Sequence, residues 1–178
     1  MTKPLVFDST PLIYLAKSSL ALFLKEIIQP KFSPRSVFEE VVREGKKRHA
    51  PESRLLAELF ETEVIKTCNL SDEGYLKYVL EMAAENELHP LHEAEAEVLC
   101  LTRQLRGVAI ADDKVARSVA GILGIELHGT GYILGRIFAT GKIGNQELVE
   151  KVKEMRESGW RVSAEDYLKI VDYLKSLP

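Results

Sequence analysis

Two short apolar runs, Leu5-Val6-Phe7 and Val108-Ala109-Ile110-Ala111, end on carboxylates and give way at once to helical periodicity. That switch constrains the chain more than any other feature. Runs this short and unbroken by polar residues suit strands buried on both faces. The first stops at Asp8, where Ser9-Thr10-Pro11 supplies hydroxyl caps and an early helical proline; Leu12, Ile13, Leu15 and Ala16 then follow at helical spacing towards Leu24. The second stops at Asp112-Asp113, and the helical pattern resumes from Lys114 to Leu123 before Gly124.

The intervening pattern extends this alternation. Pro30 and Pro34 punctuate a connection, and Ser36 to Val42 reads as a short helix stopped near Gly45. The basic run Lys46-Lys47-Arg48-His49 leads into a second helical piece from Pro51 to Phe60. Glu63 to Lys66 is the next expected strand, and Ser71-Asp72-Glu73 caps a helix reaching about Ala84. Leu91, Ala94, Val98, Leu101 and Leu105 form an apolar stripe of helical period. Ile125 to Leu127 predicts one more strand, Tyr132 to Ala139 a helix, and Asn145 to Leu177 two helices divided near Gly159-Trp160. The expected fold class is α/β: one domain over residues 1–178, three layers with a central, mostly parallel sheet, and a helical extension from about residue 145.

Composition narrows the functions open to such a chain. With 46% hydrophobic and 29% charged residues and no Pro/Gly/Ser-rich tract, the sequence reads as globular. A net charge of −3 argues against whole-surface nucleic-acid binding, so any RNA site must be local. Cys68 and Cys100 lack a C-x-x-C partner, which suits a reducing compartment. His49, His89, His92 and His128 make no H-E-x-x-H arrangement. Asp8 interrupts the N-terminal apolar stretch before a signal sequence can form, and no stretch approaches a membrane span, so a cytoplasmic location without membrane attachment is expected.

Open α/β sheets gather ligand groups where strands end at their carboxyl edge, and Asp8 and Asp112-Asp113 stand at such ends. Glu40, in an early helix, and Glu93, in the first turn of a later one, can converge on the same edge. Carboxylates without His or Cys partners suit a hard divalent cation, Mg²⁺ or Mn²⁺. A cation of this kind activates water and neutralises charge on a phosphate, which is the chemistry of phosphodiester hydrolysis. Plainer readings stand beside this. Asp8 is equally a cap in Ser-Thr-Pro context, isolated glutamates such as Glu39, Glu40, Glu95 and Glu97 are usually solvated, and Asp112-Asp113 can be a cap plus a solvated neighbour. Lys46-Lys47-Arg48, Lys114 and Arg117 read either as exposed cations or as phosphate guides. Tyr14, Tyr132 and Trp160 read first as packing residues.

The segments Val6-Phe7-Asp8-Ser9-Thr10-Pro11-Leu12-Ile13, Pro34 to Val41, Glu93-Ala94-Glu95-Ala96 and Ile110-Ala111-Asp112-Asp113-Lys114 occur in the order of PIN domains. With Gly129-Thr130-Gly131-Tyr132-Ile133-Leu134 and Gly141-Lys142-Ile143, the chain resembles a prokaryotic PIN branch related to VapC-type toxin ribonucleases. This resemblance implies a PIN-like α/β/α fold, a metal-dependent endoribonuclease with Mg²⁺ or Mn²⁺, a homodimer and a cognate antitoxin protein. Its implied catalytic set is Asp8, Glu40, Glu93 and Asp113. Asp8, Glu93, Asp112 and Asp113 would be at the metal, and Ser9, Thr10, Lys114 and Arg117 towards single-stranded RNA substrate. Two departures accompany it: His92 stands where this branch has Gly, and adjacent Glu39 and Glu40 leave the second acidic position open between them. The alternatives are a non-catalytic PIN-like assembly module and an RNA-processing nuclease. A haloacid-dehalogenase-type phosphatase would need Asp where Thr10 stands, and a receiver domain would carry its acidic pair early. The apolar positions Leu20, Leu22, Phe23 and Ile27 are open to two readings, dimer interface and monomer core.

Overall fold

The computed structural model describes residues 2–85 and 91–176. The chain begins with β1 (Leu5–Phe7), α1 (Ser9–Lys17), a 3₁₀ segment (Leu20–Glu26) and β2 (Lys31–Pro34). A continuous helical stretch follows, built from α2 (Arg35–Phe38), a π-helical turn (Glu39–Glu44) and α3 (Gly45–Lys47). Next come α4 (Glu52–Glu61), β3 (Lys66–Cys68), α5 (Glu73–Glu85), α6 (Glu93–Leu105), β4 (Val108–Ile110), α7 (Lys114–Leu123), β5 (Leu127–His128) and α8 (Thr130–Phe138). Two helices, α9 (Asn145–Glu157) and α10 (Ala164–Ser176), complete the described chain.

All strand pairs are parallel, in the order β3-β2-β1-β4-β5. The fold is therefore the expected α/β arrangement with a parallel sheet between helices. Chain order runs outward from β1 in both directions, so a topological switch point lies between β1 and β4. There Phe7 is opposite Ile110, and the Asp8 N–H donates to the Ile110 carbonyl at 2.9 Å. Asp8 and Asp112-Asp113 thus leave neighbouring strands at one edge.

The three residues of β1 and the three of β4 are buried, as their unbroken apolar character requires. On one side α6 packs against β1, β2 and β4 and is flanked by α5 and α7. On the other, α1 packs with α4, the 3₁₀ segment and α9, while α8 contacts the 3₁₀ segment and α9. Leu20 and Ile27 belong to the core, Phe23 packs partly buried against it, and Leu22 remains 46% exposed. Most of the face weighed as an interface is consequently consumed within the protomer.

Several boundaries differ from the sequence expectation, each for a physical reason. The span between Pro30 and Pro34 is an interior strand, not a connection. Its Lys31 is buried because Nζ donates to the carbonyls of Ile27 and Gln29 at 2.7 and 2.8 Å. The first helix stops at Lys17, and Ser19 adopts a left-handed φ of 64° before the 3₁₀ segment. Glu63, expected in a strand, also has a left-handed φ, 56°, and turns the chain, so β3 starts at Lys66. Gly45 does not end the second helical stretch: its φ is −58°, and a Cβ there would stand 2.8 Å from Ser53 Cβ on α4. Glycine here serves close helix packing.

The helix expected from Leu91 onward is α6, which starts at Glu93, and its expected stripe is buried at Leu91, Val98 and Leu101. Ala96, Val98, Leu99, Cys100, Leu101 and Thr102 face inward, whereas Ala94 is only half-buried. The tail forms two helices divided at Gly159-Trp160, as expected. Met155 and Trp160 are buried, and the Tyr14 hydroxyl donates to the Gly159 carbonyl at 2.9 Å, tying the tail to α1. No helix among the described residues is long and apolar enough to cross a membrane.

Candidate active site

The site grows from Asp8. Extended backbone at φ −79°, ψ 165° ends β1 and places Asp8 at the N-cap of α1, where it is only 4% exposed. Its carboxylate makes no full cap hydrogen bond, although the N–H groups of Ser9 and Thr10 favour its charge. Burial outweighs that help, and the negative charges of Glu95 and Glu40 add to it, so its pKa is pushed up to about 6. A carboxyl this far above its usual range marks a desolvated, anion-rich position.

Glu95 is the third residue of α6, and its Oε2 accepts from the His92 N–H at 3.0 Å, closing the helix start. Its own pKa is also raised, chiefly by burial and further by the charges of Asp113 and Glu40. Glu40 lies in the π-turn after β2, a distortion that recurs at functional sites. Its neighbour Glu39 is engaged elsewhere, with Arg43 at 2.8 Å and Arg35 at 3.4 Å. The structure thus separates the two adjacent glutamates: Glu39 is held in ion pairs, while the charge of Glu40 acts on Asp8 and Glu95.

The other adjacent pair divides as clearly. Asp113 caps α7, its Oδ1 accepting from the Ala116 N–H at 2.8 Å, and its charge reaches Glu95. Asp112 is hydrogen-bonded elsewhere. Its Oδ1 accepts from the Thr130 N–H at 2.7 Å, and its Oδ2 from Thr130 Oγ1 at 2.6 Å and Trp160 Nε1 at 2.9 Å. Gly129 must be glycine for this approach, because a Cβ there would fall 2.8 Å from Asp112 Oδ1. Asp112 therefore latches the C-terminal helices to the end of β4, with both of its carboxylate oxygens hydrogen-bonded.

Glu93 is exposed in the first turn of α6, whereas Glu95 is half-buried. The buried side of α6 centres near Leu99, which turns position 95 and not position 93 towards the carboxylates. Ser9 is buried and Thr10 half-buried at the start of α1. Lys114 and Arg117 are exposed at the start of α7. His89 lies outside the described residues. Sequence reasoning missed the roles of Glu95, Thr130 and Trp160; the only local signal for Glu95 was its position three residues after a helix cap.

The donor set is carboxylate oxygen throughout, which fits a hard divalent cation, and the raised pKa of Asp8 and Glu95 is the repulsion and desolvation that a cation would offset. Among the described residues, no three His, Cys, Asp or Glu side chains stand close enough to form a finished metal cage. The chemistry of the group fits a metal.

A parallel sheet with carboxylates drawn from separate elements to its switch point defines the class of α/β proteins that work at the carboxyl edge of the sheet. The particular family follows from comparison: the chain belongs to the PIN-domain family, the family model DUF3368, a PIN domain, matching residues 4–176. PIN domains are a nuclease fold that typically uses divalent metal ions. None of the curated proteins compared matches the chain.

The latch gives a direct stability prediction. Asp112→Ala leaves the Thr130 and Trp160 donors without their acceptor, and a buried donor left unpaired costs about 1–3 kcal/mol. Urea denaturation should show that loss, while Asp112→Asn, which keeps one acceptor oxygen, should show a smaller one. An unchanged midpoint in Asp112→Ala would remove the latch.

Proposed function

We propose that this protein is a metal-dependent endoribonuclease, using Mg²⁺ or Mn²⁺, and the toxin component of a toxin-antitoxin pair. One observation carries the nuclease reading: Asp8, Glu40, Glu95 and Asp113 come from four separate places in the chain, with the charges of Glu95 and Glu40 acting on Asp8 and those of Asp113 and Glu40 acting on Glu95. The toxin role, the antitoxin partner and the homodimer rest on the resemblance to VapC-type proteins, and the cytoplasmic setting on the cysteine pattern and the lack of a long apolar stretch in the sequence.

When bound, the metal would supply an activated water and neutralise charge on the scissile phosphate. Asp8 and Asp113 are the residues to hold it, Asp113 through the Oδ2 left after its cap bond. Glu95, rather than Glu93, completes the acidic set. Its Oε2 is fixed by the His92 N–H, its Oε1 faces no such bond, and its raised pKa suits a group that takes a proton from water. Glu40 keeps the rim negative, and Lys114 and Arg117 offer charge to the phosphodiester backbone.

The test follows a panel of single-stranded and structured RNAs with Mn²⁺, Mg²⁺ or EDTA. Metal-dependent cutting abolished by EDTA is the expected result. A folded protein that binds metal yet leaves every RNA intact would transfer the reading to a non-catalytic PIN-like module. Growth arrest on expression, relieved by a co-expressed neighbouring antitoxin, tests the biological role separately. Metal binding also carries a pH signature. Asp8 must lose its proton to become a ligand, so apparent metal affinity should fall about tenfold per pH unit once the pH drops below the Asp8 value of about 6. Calorimetric titration showing a flat affinity through that range would exclude Asp8 as a ligand.

A further inference from the structure

Beside the carboxylate cluster lies a cleft of about 820 Å³, the size of a small-ligand or short-strand site. One wall is the start of α7 and α8, with Asp112, Lys114, Arg117 and Tyr132. The other is the segment entering α10, with Arg161 and Lys169. Asp112 lines the cleft, and the next residue in the chain, Asp113, belongs to the carboxylate cluster, whose own members do not line it.

Its electrostatics differ from those of the chain as a whole, which carries a net charge of −3. Lys114, Arg117 and Arg161 are exposed and make no ion pair among the described residues, while Lys169 is paired with Glu165 at 2.6 Å. The two carboxylates on the walls are engaged: Asp112 accepts three hydrogen bonds, and Asp166 accepts from Ser163 Oγ at 2.6 Å. The aromatic groups are engaged too. Tyr132 stacks on His128 with centroids 4.4 Å apart and is flanked by Arg136, and Trp160 is buried with its indole N–H on Asp112. Free cations without a free aromatic platform select phosphates over bases.

We propose that the C-terminal helices complete a phosphate-binding trough in which Arg161 faces Arg117 and Lys114 across a single strand of nucleic acid running to the carboxylate cluster. This rests on the nuclease reading for its substrate and extends it: strand binding is sequence-tolerant, made through the backbone, and depends on a residue contributed by the tail. The Trp160–Asp112 hydrogen bond holds that wall in register with the end of β4.

The experiment measures fluorescence anisotropy of a short, mixed-sequence, labelled single-stranded RNA in EDTA, where cleavage cannot intervene, over a series of salt concentrations. Arg161→Ala should weaken binding roughly 3–10-fold and reduce the slope of log affinity against log salt by about 0.7, the change for one lost single-strand phosphate contact. Arg117→Ala, on the opposite wall, should behave alike. Arg161→Lys should restore the slope, and Arg54→Ala, exposed on α4, should change neither quantity. Thermal midpoints of all four should match wild type. Unchanged affinity and slope in Arg161→Ala would overturn the proposal. RNA binding that follows this pattern without any metal-dependent cleavage would support the trough and remove the catalytic reading; cleavage with Arg161→Ala binding like wild type would do the reverse.

Discussion

Asp8→Asn is expected to abolish metal-dependent RNA cleavage and, in the same protein, to stabilise the metal-free fold at about pH 8. The two effects share one cause. Asp8 is nearly inaccessible, and burial with the charges of Glu95 and Glu40 raises its pKa from 3.8 to about 6. In the unfolded chain the same carboxyl ionises near ~3.9. Between these values the folded state keeps a proton that the unfolded state has released, so stability falls as pH rises through the window and the full penalty stands above about pH 6. A shift of this size corresponds to roughly 2–3 kcal/mol. Asn is nearly isosteric and carries no charge, so the variant should gain stability of that order at about pH 8 and none near pH 4, where both proteins are neutral at this position. Cleavage should fall at least about 100-fold, since even an outer-shell partner of a catalytic metal is worth 10–100-fold. Added Mn²⁺ should raise the thermal midpoint of wild type and leave that of Asp8→Asn unmoved. A variant that is both less stable than wild type at high pH and fully active would refute this account of the residue.

The second large effect separates two glutamates that lie two positions apart. Glu95→Gln should reduce cleavage about 10–100-fold, whereas Glu93→Gln should stay within about twofold of wild type, because an exposed helix residue away from the cluster contributes little. Gln at position 95 retains an oxygen for the His92 N–H, so the cap persists and unfolding should shift little. Measuring both variants for rate and for denaturation midpoint distinguishes loss of chemistry from loss of the helix start. The reverse order of rates, with Glu93→Gln inactive and Glu95→Gln active, would restore Glu93 to the site and place the helix in a different phase.

Helix α6 shows where sequence legibility ended. The apolar stripe from Leu91 through Val98 and Leu101 to Leu105 identified a helix, nearly its limits and much of its buried face, but not how wide that face is. Only contact with β1, β2 and β4 decided that Ala96 and Leu99 point inward, which carries Glu95 towards Asp8. The strand at Lys31–Pro34 was hidden for a related reason. A lysine between prolines reads as a connection unless two backbone carbonyls, those of Ile27 and Gln29, are seen to receive its ammonium group. Asp112 and Asp113, adjacent and chemically identical, were inseparable until Thr130 and Trp160, 18 and 48 positions away from Asp112, claimed the first of them.

The sequence by itself determined the alternation of buried strands and helices, the parallel sheet that such alternation demands, and the carboxylates at the ends of β1 and β4. These are local properties: an apolar run that stops on Asp before a helix cap has few other ways to bury itself. Which carboxylates share a site, which one is spent as a latch, and how far the tail builds a second wall were decided only by tertiary structure. Side-chain direction and desolvation depend on packing partners distant in the chain, and two positions along one helix are enough to separate the exposed Glu93 from the half-buried Glu95.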